Sequence, residues 1–209
     1  MPRVAPEMPD RLARCAFEVF AERGFRDCSV DDIAARAGVT KGSFYSHYRS
    51  KRAIVLAACN HYYRTYHQRV RTQLASLVDP MQRLRCVLEH GVRTCVADRQ
   101  TRVFTTKIFA LSLKDEAVRA GWAQFYDTVR QQYVDLVRAA VAAGELETSD
   151  PEAAVNLMLA AMEGVKLRAV FEPEIAAQQQ QAAIVEGLMR ILGAAPKVIG
   201  SQAIGESGG

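Results

Sequence analysis

The sequence predicts an all-helical protein, and three observations carry that prediction. The seven prolines, Pro2, Pro6, Pro9, Pro80, Pro151, Pro173 and Pro196, leave residues 10–79 and 81–150 free of the residue that breaks a helix from inside. Apolar side chains recur through both stretches at three- and four-residue spacing. Strand signals are missing: β-branched residues do not cluster, and no hairpin dipeptide separates two alternating runs. A length of 209 residues allows one or two domains, and 49% hydrophobic with 24% charged residues fits a globular chain with a sizeable core.

Each helix has its own start or stop signal. The first is predicted from about Asp10 to Arg23, with Leu12, Ala16, Phe17 and Phe20 on its apolar side and Gly24 ending it. Ser29 suits the N-cap of a second helix, with Asp31 and Asp32 in its first turn and Val30, Ile33, Ala34 and Ala37 inward, ending at Gly38. Thr40 caps a short third helix, and Ser50 a long fourth that runs to about Leu77. Asp79-Pro80 opens a fifth that continues through Val96, and a sixth covers roughly Arg102 to Leu113. The seventh spans about Asp115 to Ala143 and stops at Gly144; the eighth runs from Asp150-Pro151 to about Phe171, and the ninth from about Glu174 to Leu192. The run Gln178 to Gln181 reads as a polar face at a helix start. The implied division is an N-terminal arm (1–9), a first domain (10–52), a second (53–192) and a glycine-rich, disordered tail (193–209).

Composition excludes several classes. No stretch lacking Asp, Glu, Lys and Arg exceeds 11 residues, too few for a membrane span of about 20. The N-terminus has no apolar secretory core, so the expected compartment is the cytoplasm. Cys15, Cys28, Cys59, Cys86 and Cys95 form no CxxC pair and read as reduced, mostly buried thiols. Cys86 and His90 lie four apart but lack a third ligand, so no metal and no cofactor is expected; a thiol sensor at Cys86 or Cys95 stays open. No nucleophile–base constellation or phosphate-binding glycine loop argues for an enzyme. The net charge of +4 divides unevenly: residues 1–100 hold 17 Lys and Arg against 10 Asp and Glu, whereas residues 101–209 hold 10 against 13. Only the first half is suited to a polyanion.

Residues 29–51 read SVDDIAARAGVTKGSFYSHYRSK: a helix, a turn through Gly38, and a short second helix. A unit of this kind crosses the DNA backbone with its first helix and places the second in the major groove. That second helix is nearly free of large aliphatics; Phe44 faces the core, and small or polar side chains fill the rest. Together with the FAERGF entry (Phe20 to Phe25) and Ser50-Lys51 opening the next helix, the stretch from Arg11 to about Ala58 resembles the DNA-binding domain of the TetR family of transcriptional regulators. Beyond about residue 60 the resemblance is one of length and helical layout only. It implies a role for each matching residue. Ser29 lies at a helix N-terminus that favours phosphate. Thr40 and Lys41 reach phosphate or a base edge. Gly42 lets the backbone approach the groove. Ser43 and Ser46 are weak readers, and Tyr45 meets a thymine methyl or a phosphate. His47 and Lys51 meet phosphate, and Tyr48 packs inward.

One short reading helix covers few base pairs, so specificity calls for a two-fold dimer on a palindromic operator in double-stranded DNA. The dimer surface is expected on helices around 151–171 and 174–192, from Ala153, Ala154, Met158, Ala161, Met162, Gly164 and Val165 on the eighth and Ile184, Leu188, Ile191 and Leu192 on the ninth. The resemblance also implies a small-molecule effector pocket within helices five to eight. Its candidate lining is Val92, Cys95, Val96, Phe104, Ile108, Trp122, Phe125, Tyr126, Val129, Met158, Met162 and Lys166. Arg93, Lys107, Lys166 and Arg168 suit an anionic effector if they point inward; otherwise they pair with Glu163, Asp115 or Asp127. The function implied is a ligand-released repressor. Its alternatives are an activator, an effector-independent regulator, or a helical scaffold for proteins that binds no DNA.

Overall fold

A computed structural model of the chain describes residues 7–195. Among them every regular element is helical: α1 (Met8–Arg23), α2 (Val30–Ala37), α3 (Lys41–His47), α4 (Lys51–Leu74), α5 (Pro80–Gly91), α6 (Arg99–Ser112), α7 (Glu116–Ala142), α8 (Pro151–Arg168) and α9 (Gln178–Ile191). A π-helical turn, Val92–Ala97, joins α5 to α6, and a 3₁₀ turn, Pro173–Ala176, precedes α9. None of these helices is long and apolar enough to cross a membrane.

Most caps follow the predicted starts. Ser29, Thr40, Ser50, Asp79, Asp115 and Asp150 each accept a first-turn amide with the side chain, and so does Asp98, which was not expected. Ser29 and Asp32 complete a reciprocal capping box. Gly38 closes α2 at φ 65°, a left-handed conformation that a side chain resists.

The differences lie at element ends. α1 begins at Met8, inside the expected arm, because Pro9 fits a first turn whose N–H groups have no helical partner anyway. The fifth helix does not continue regularly through Val96. The Thr94 hydroxyl donates to the His90 carbonyl at 2.7 Å, the Tyr133 hydroxyl to the Val87 carbonyl at 3.2 Å, and Arg102 to the Val96 carbonyl. Side chains thus bond carbonyls on either side of this widened turn. The sixth helix starts at Arg99, where Asp98 supplies the cap. The eighth ends at Arg168, and the expected ninth divides into the 3₁₀ turn and α9, with Gln178 to Gln181 opening the latter. Gly193 and Ala194 close α9 by returning their amides to Arg190 and Met189. Residues 1–6 of the expected arm and 196–209 of the expected tail lie outside the described residues.

One core runs through the molecule. α1 packs on α2, α4 and α6, and α7 lies against α4, α5, α6 and α8. Its spine is aromatic: Phe17 meets Phe104 edge-on at 4.6 Å, Tyr62 lies 5.8 Å from Phe104 and 5.6 Å from Phe125, and Phe125 stacks on Trp122 at 5.4 Å. Ion pairs tie α4 to α1 and to the start of α7 at the surface. Arg64 reaches Asp10 at 2.7 Å, and Arg52 grips Asp115, the α7 cap, through two bonds of 2.7 and 2.9 Å.

Candidate nucleic-acid interface and effector interior

α1 and α2 hold α3 on the outside of the molecule. Phe44, fully buried, anchors its inner side, and the Tyr48 hydroxyl donates to the Pro9 carbonyl at 3.0 Å. Arg36 braces α2 against α1 by bonding Glu22 at 2.7 Å. The outer side then presents Lys41, Gly42, Tyr45, Ser46 and His47, all exposed, with Ser43 half-buried. Tyr45 is 46% exposed, high for a ring with a full core within reach.

The donors on this face differ in availability. Lys41 Nζ bonds the Asp31 carboxylate at 2.9 Å, which raises the lysine's pKa, so the ammonium is held beside the face by a local carboxylate. Thr40 Oγ1 accepts the Ser43 amide at 3.1 Å and keeps its own proton to give. Ser46 donates back to the Ser43 carbonyl at 2.7 Å. Lys51 donates to the Arg26 carbonyl at 3.3 Å, fixing the loop before α2. The donors of Ser29 are engaged within the chain. Its amide and its hydroxyl both donate to Asp32, at 2.7 and 2.6 Å. The Asp32 carboxylate therefore occupies the place expected for phosphate, and these bonds hold its pKa below the ordinary range. Gly42 is informative in another way. A Cβ built there would meet only Thr40 Oγ1, at 3.8 Å, and its φ is not left-handed, so nothing inside the chain requires glycine. What its absent side chain leaves is room for an outside partner.

The expected pocket residues separate into two groups. Trp122, Tyr126, Lys166 and Cys95 gather where the π turn, α7 and α8 meet. Lys166, only 2% exposed, pairs with Glu163, and its Nζ lies 5.9 Å from the Trp122 ring centre. Tyr126 also donates to Glu163. Cys95 Sγ lies 3.9 Å from the Tyr62 hydroxyl; burial raises its pKa while Lys166 lowers it. Met162 reaches the π turn, with its Sδ 3.3 Å from where a Gly91 Cβ would stand. Val92, Val96, Phe125, Val129 and Met158 are buried around this group. Phe104 belongs elsewhere. It packs on Phe17 and Phe25, at 4.6 and 5.7 Å, in the joint between α1 and α6, and Ile108 is buried one turn further along α6. Of the four expected cations only Lys166 is interior. Arg93 is exposed, Lys107 lies against Gly24, and Arg168 bonds Glu172 at the surface. Asp115 pairs with Arg52 rather than with any of these.

The expected dimer helices also differ in detail. Met158, Met162, Leu188 and Leu192 are buried in the chain's own core. The outward side of α8 and the turn after it carry instead Ala153, Leu157, Ala160, Gly164, Leu167 and Phe171, a stripe at four- and three-residue spacing. Leu157, Leu167 and Phe171 are 61%, 43% and 71% exposed. Spacing alone did not tell the two apolar sides of α8 apart.

Residues 14–58 match the family model of bacterial regulatory proteins of the tetR family, and residues 80–193 that of the BetI-type transcriptional repressor C-terminal domain. The chain is 32% identical over 180 residues to the transcriptional regulator AcuR of Cereibacter sphaeroides, covering 82% of this chain and 81% of that one. Its likeness to the HTH-type regulator YerO of Bacillus subtilis is 38% over 56 residues, 27% of this chain; the match spans only 19% of YerO. A transcriptional regulator from Saccharomonospora viridis, crystallised in complex with choline, shares the fold with a TM-score of 0.79 at 19% identity, over 89% of this chain and 95% of that one. With both parts of the chain matched, one of them over more than half its length, the protein is a DNA-binding transcriptional regulator of the TetR family.

Proposed function

We propose that the protein is a homodimeric repressor that occupies a palindromic operator and leaves it when a small molecule binds inside the second domain. The observation that carries DNA reading is the outward face of α3, where exposed Lys41, Tyr45, Ser46 and His47 surround a glycine that the fold does not need. Thr40 and Lys41 are the proposed contacts to base edges, and Tyr45, Ser46, His47 and Lys51 position the helix on phosphates. The match to a BetI-type repressor C-terminal domain favours repression. The apolar stripe of α8 supports the dimer, since a second copy would remove Leu157, Leu167 and Phe171 from water. The division at about residue 52 separates the reading unit from the effector domain.

The proposed effector seat lies among Cys95, Trp122, Tyr126, Met162 and Lys166. Aromatic and methionine surface there surrounds the buried Lys166, paired with the half-buried Glu163, which suits an apolar molecule with a single polar group. The reading places the protein with its DNA in the cytoplasm and gives it no catalytic step.

A mobility-shift titration with the DNA upstream of the gene, at two salt concentrations, tests the proposal. The expected result is one palindromic site bound by two chains, more weakly at higher salt. Leu157→Glu should yield monomers by light scattering and lose that site. Sequence-independent binding would overturn the regulator reading, and occupancy that raises transcription would make the protein an activator.

A further inference from the structure

Beside the reading unit and apart from Lys166, a cavity of about 290 Å³ opens between α1, α4, the α5–π segment and the start of α6. Phe17, Tyr62 and Tyr66 give it an aromatic wall, and His90 lines it from the α5 side. His90 is 2% exposed, yet neither ring nitrogen has a hydrogen-bond partner among the described residues. A buried polar side chain without a partner is uncommon, and one that borders a cavity is placed to meet a guest. Its ring lies 5.1 Å from that of Tyr66, which holds it in place. Burial, with Arg93 and Arg69 nearby, keeps the ring neutral, so one nitrogen donates and the other accepts.

The charges bordering the cavity are unequal in availability. Its two acids are engaged: Glu18 faces Arg36 at 3.6 Å, and Asp98 accepts the Thr101 amide at 2.7 Å. Arg14 and Arg69 form no ion pair and no hydrogen bond among the described residues, and both are exposed at the cavity's edge. His61, half-buried, also lines the cavity, its pKa lowered by burial.

We infer that this cavity binds a small organic oxyanion, a metabolite with a carboxylate or phosphate group, which accepts a hydrogen bond from His90 and pairs with Arg14 and Arg69. The proposal goes beyond the effector seat: it adds a second site, at the joint between the two parts of the chain. Arg14, Phe17 and Glu18 stand on α1, the helix that supports the reading unit. A ligand held between α1 and α4 therefore fixes the angle at which α3 is presented, and the site acts on DNA binding without crossing the molecule.

The test uses the full chain with ¹⁵N-labelled histidine, titrated with benzoate and, separately, with inorganic phosphate. A saturable shift of the His90 ring-nitrogen signals is expected with at least one probe, and the probe that gives it names the oxyanion class. Arg14→Gln and Arg69→Gln should each weaken that binding about tenfold, about 1.4 kcal/mol. Arg119→Gln, which removes the same charge from a distant surface, should not. Circular dichroism checks that the variants fold; their sites of substitution are exposed. Unmoved His90 signals with both probes would overturn the proposal, as would variants at Arg14 and Arg69 that bind like the parent. The test needs no DNA, so it stands or falls separately from the repressor reading.

Discussion

Two residues carry consequences at the smallest scale. Gly42 is the position where stability and DNA binding are expected to part. Glycine in a helix is worth about 1 kcal/mol less than alanine, and a Cβ there has space. Gly42→Ala should therefore fold as stably as the parent or slightly better, and yet bind operator more weakly, as thermal melts and mobility shifts on one preparation would reveal. His90 sets a pH dependence. Burial, then Arg93 and Arg69, push it down to about 4, against about 6.5 in an unfolded chain. Between those values the unfolded state holds the extra proton, so stability is complete above about pH 6.5 and is lost as pH falls through the folded value. The interval corresponds to about 3 kcal/mol. Urea melts from pH 7 to 4 should show that slope in the parent and a shallower one in His90→Asn.

At the scale of elements, most of the fold was legible because capping is local chemistry. Ser29, Thr40, Ser50 and Asp115 each need only their own next few residues to start a helix, so sequence shows them. Gly38 was legible for the same reason, and Gly38→Ala should cost about 1–2 kcal/mol in chemical denaturation, since its left-handed backbone resists a Cβ. The π turn was not legible. Tyr133 reaches the Val87 carbonyl from α7, far away in sequence, and the local spacing of apolar residues carries no signal of a wider turn at Val92–Ala97. The same limit divided the effector residues. Helical spacing assigns Phe104 and Trp122 alike to an inner face, and only packing sends one to the α1 joint and the other to Lys166. The face of α3 was legible because its sequence breaks the pattern of a core helix. The bonds of Ser29 to Asp32 follow from the capping box that the S-x-x-D spacing allows.

At the scale of the molecule, α4 is the connecting rod. Its 24 residues span about 36 Å, from Ser50 beside the reading unit to Leu74 in the second domain. Near its start Arg52 binds Asp115, the cap of α7, holding that carboxyl below its usual range. The Arg52 side of this pair is exposed to solvent, which screens it, so the pair adds little to stability. Its position matters more than its strength, because it makes α7 answer to any tilt of α4. Arg52→Ala should leave the melting temperature nearly unchanged and DNA affinity within a few-fold, while reducing effector-induced release from DNA, measured by fluorescence anisotropy with and without the effector.

The π turn between α5 and α6 holds one residue more than a regular helix would need. Shortening the segment by a single residue would let an unbroken α-helix form, and each residue removed rotates the downstream part of the helix by about 100°. Such a chain would keep its helix content while turning Cys95 and Thr94 away from Tyr62. Local geometry here makes an insertion of one residue the difference between a plain helical turn and a widened one that sets Cys95 against Tyr62.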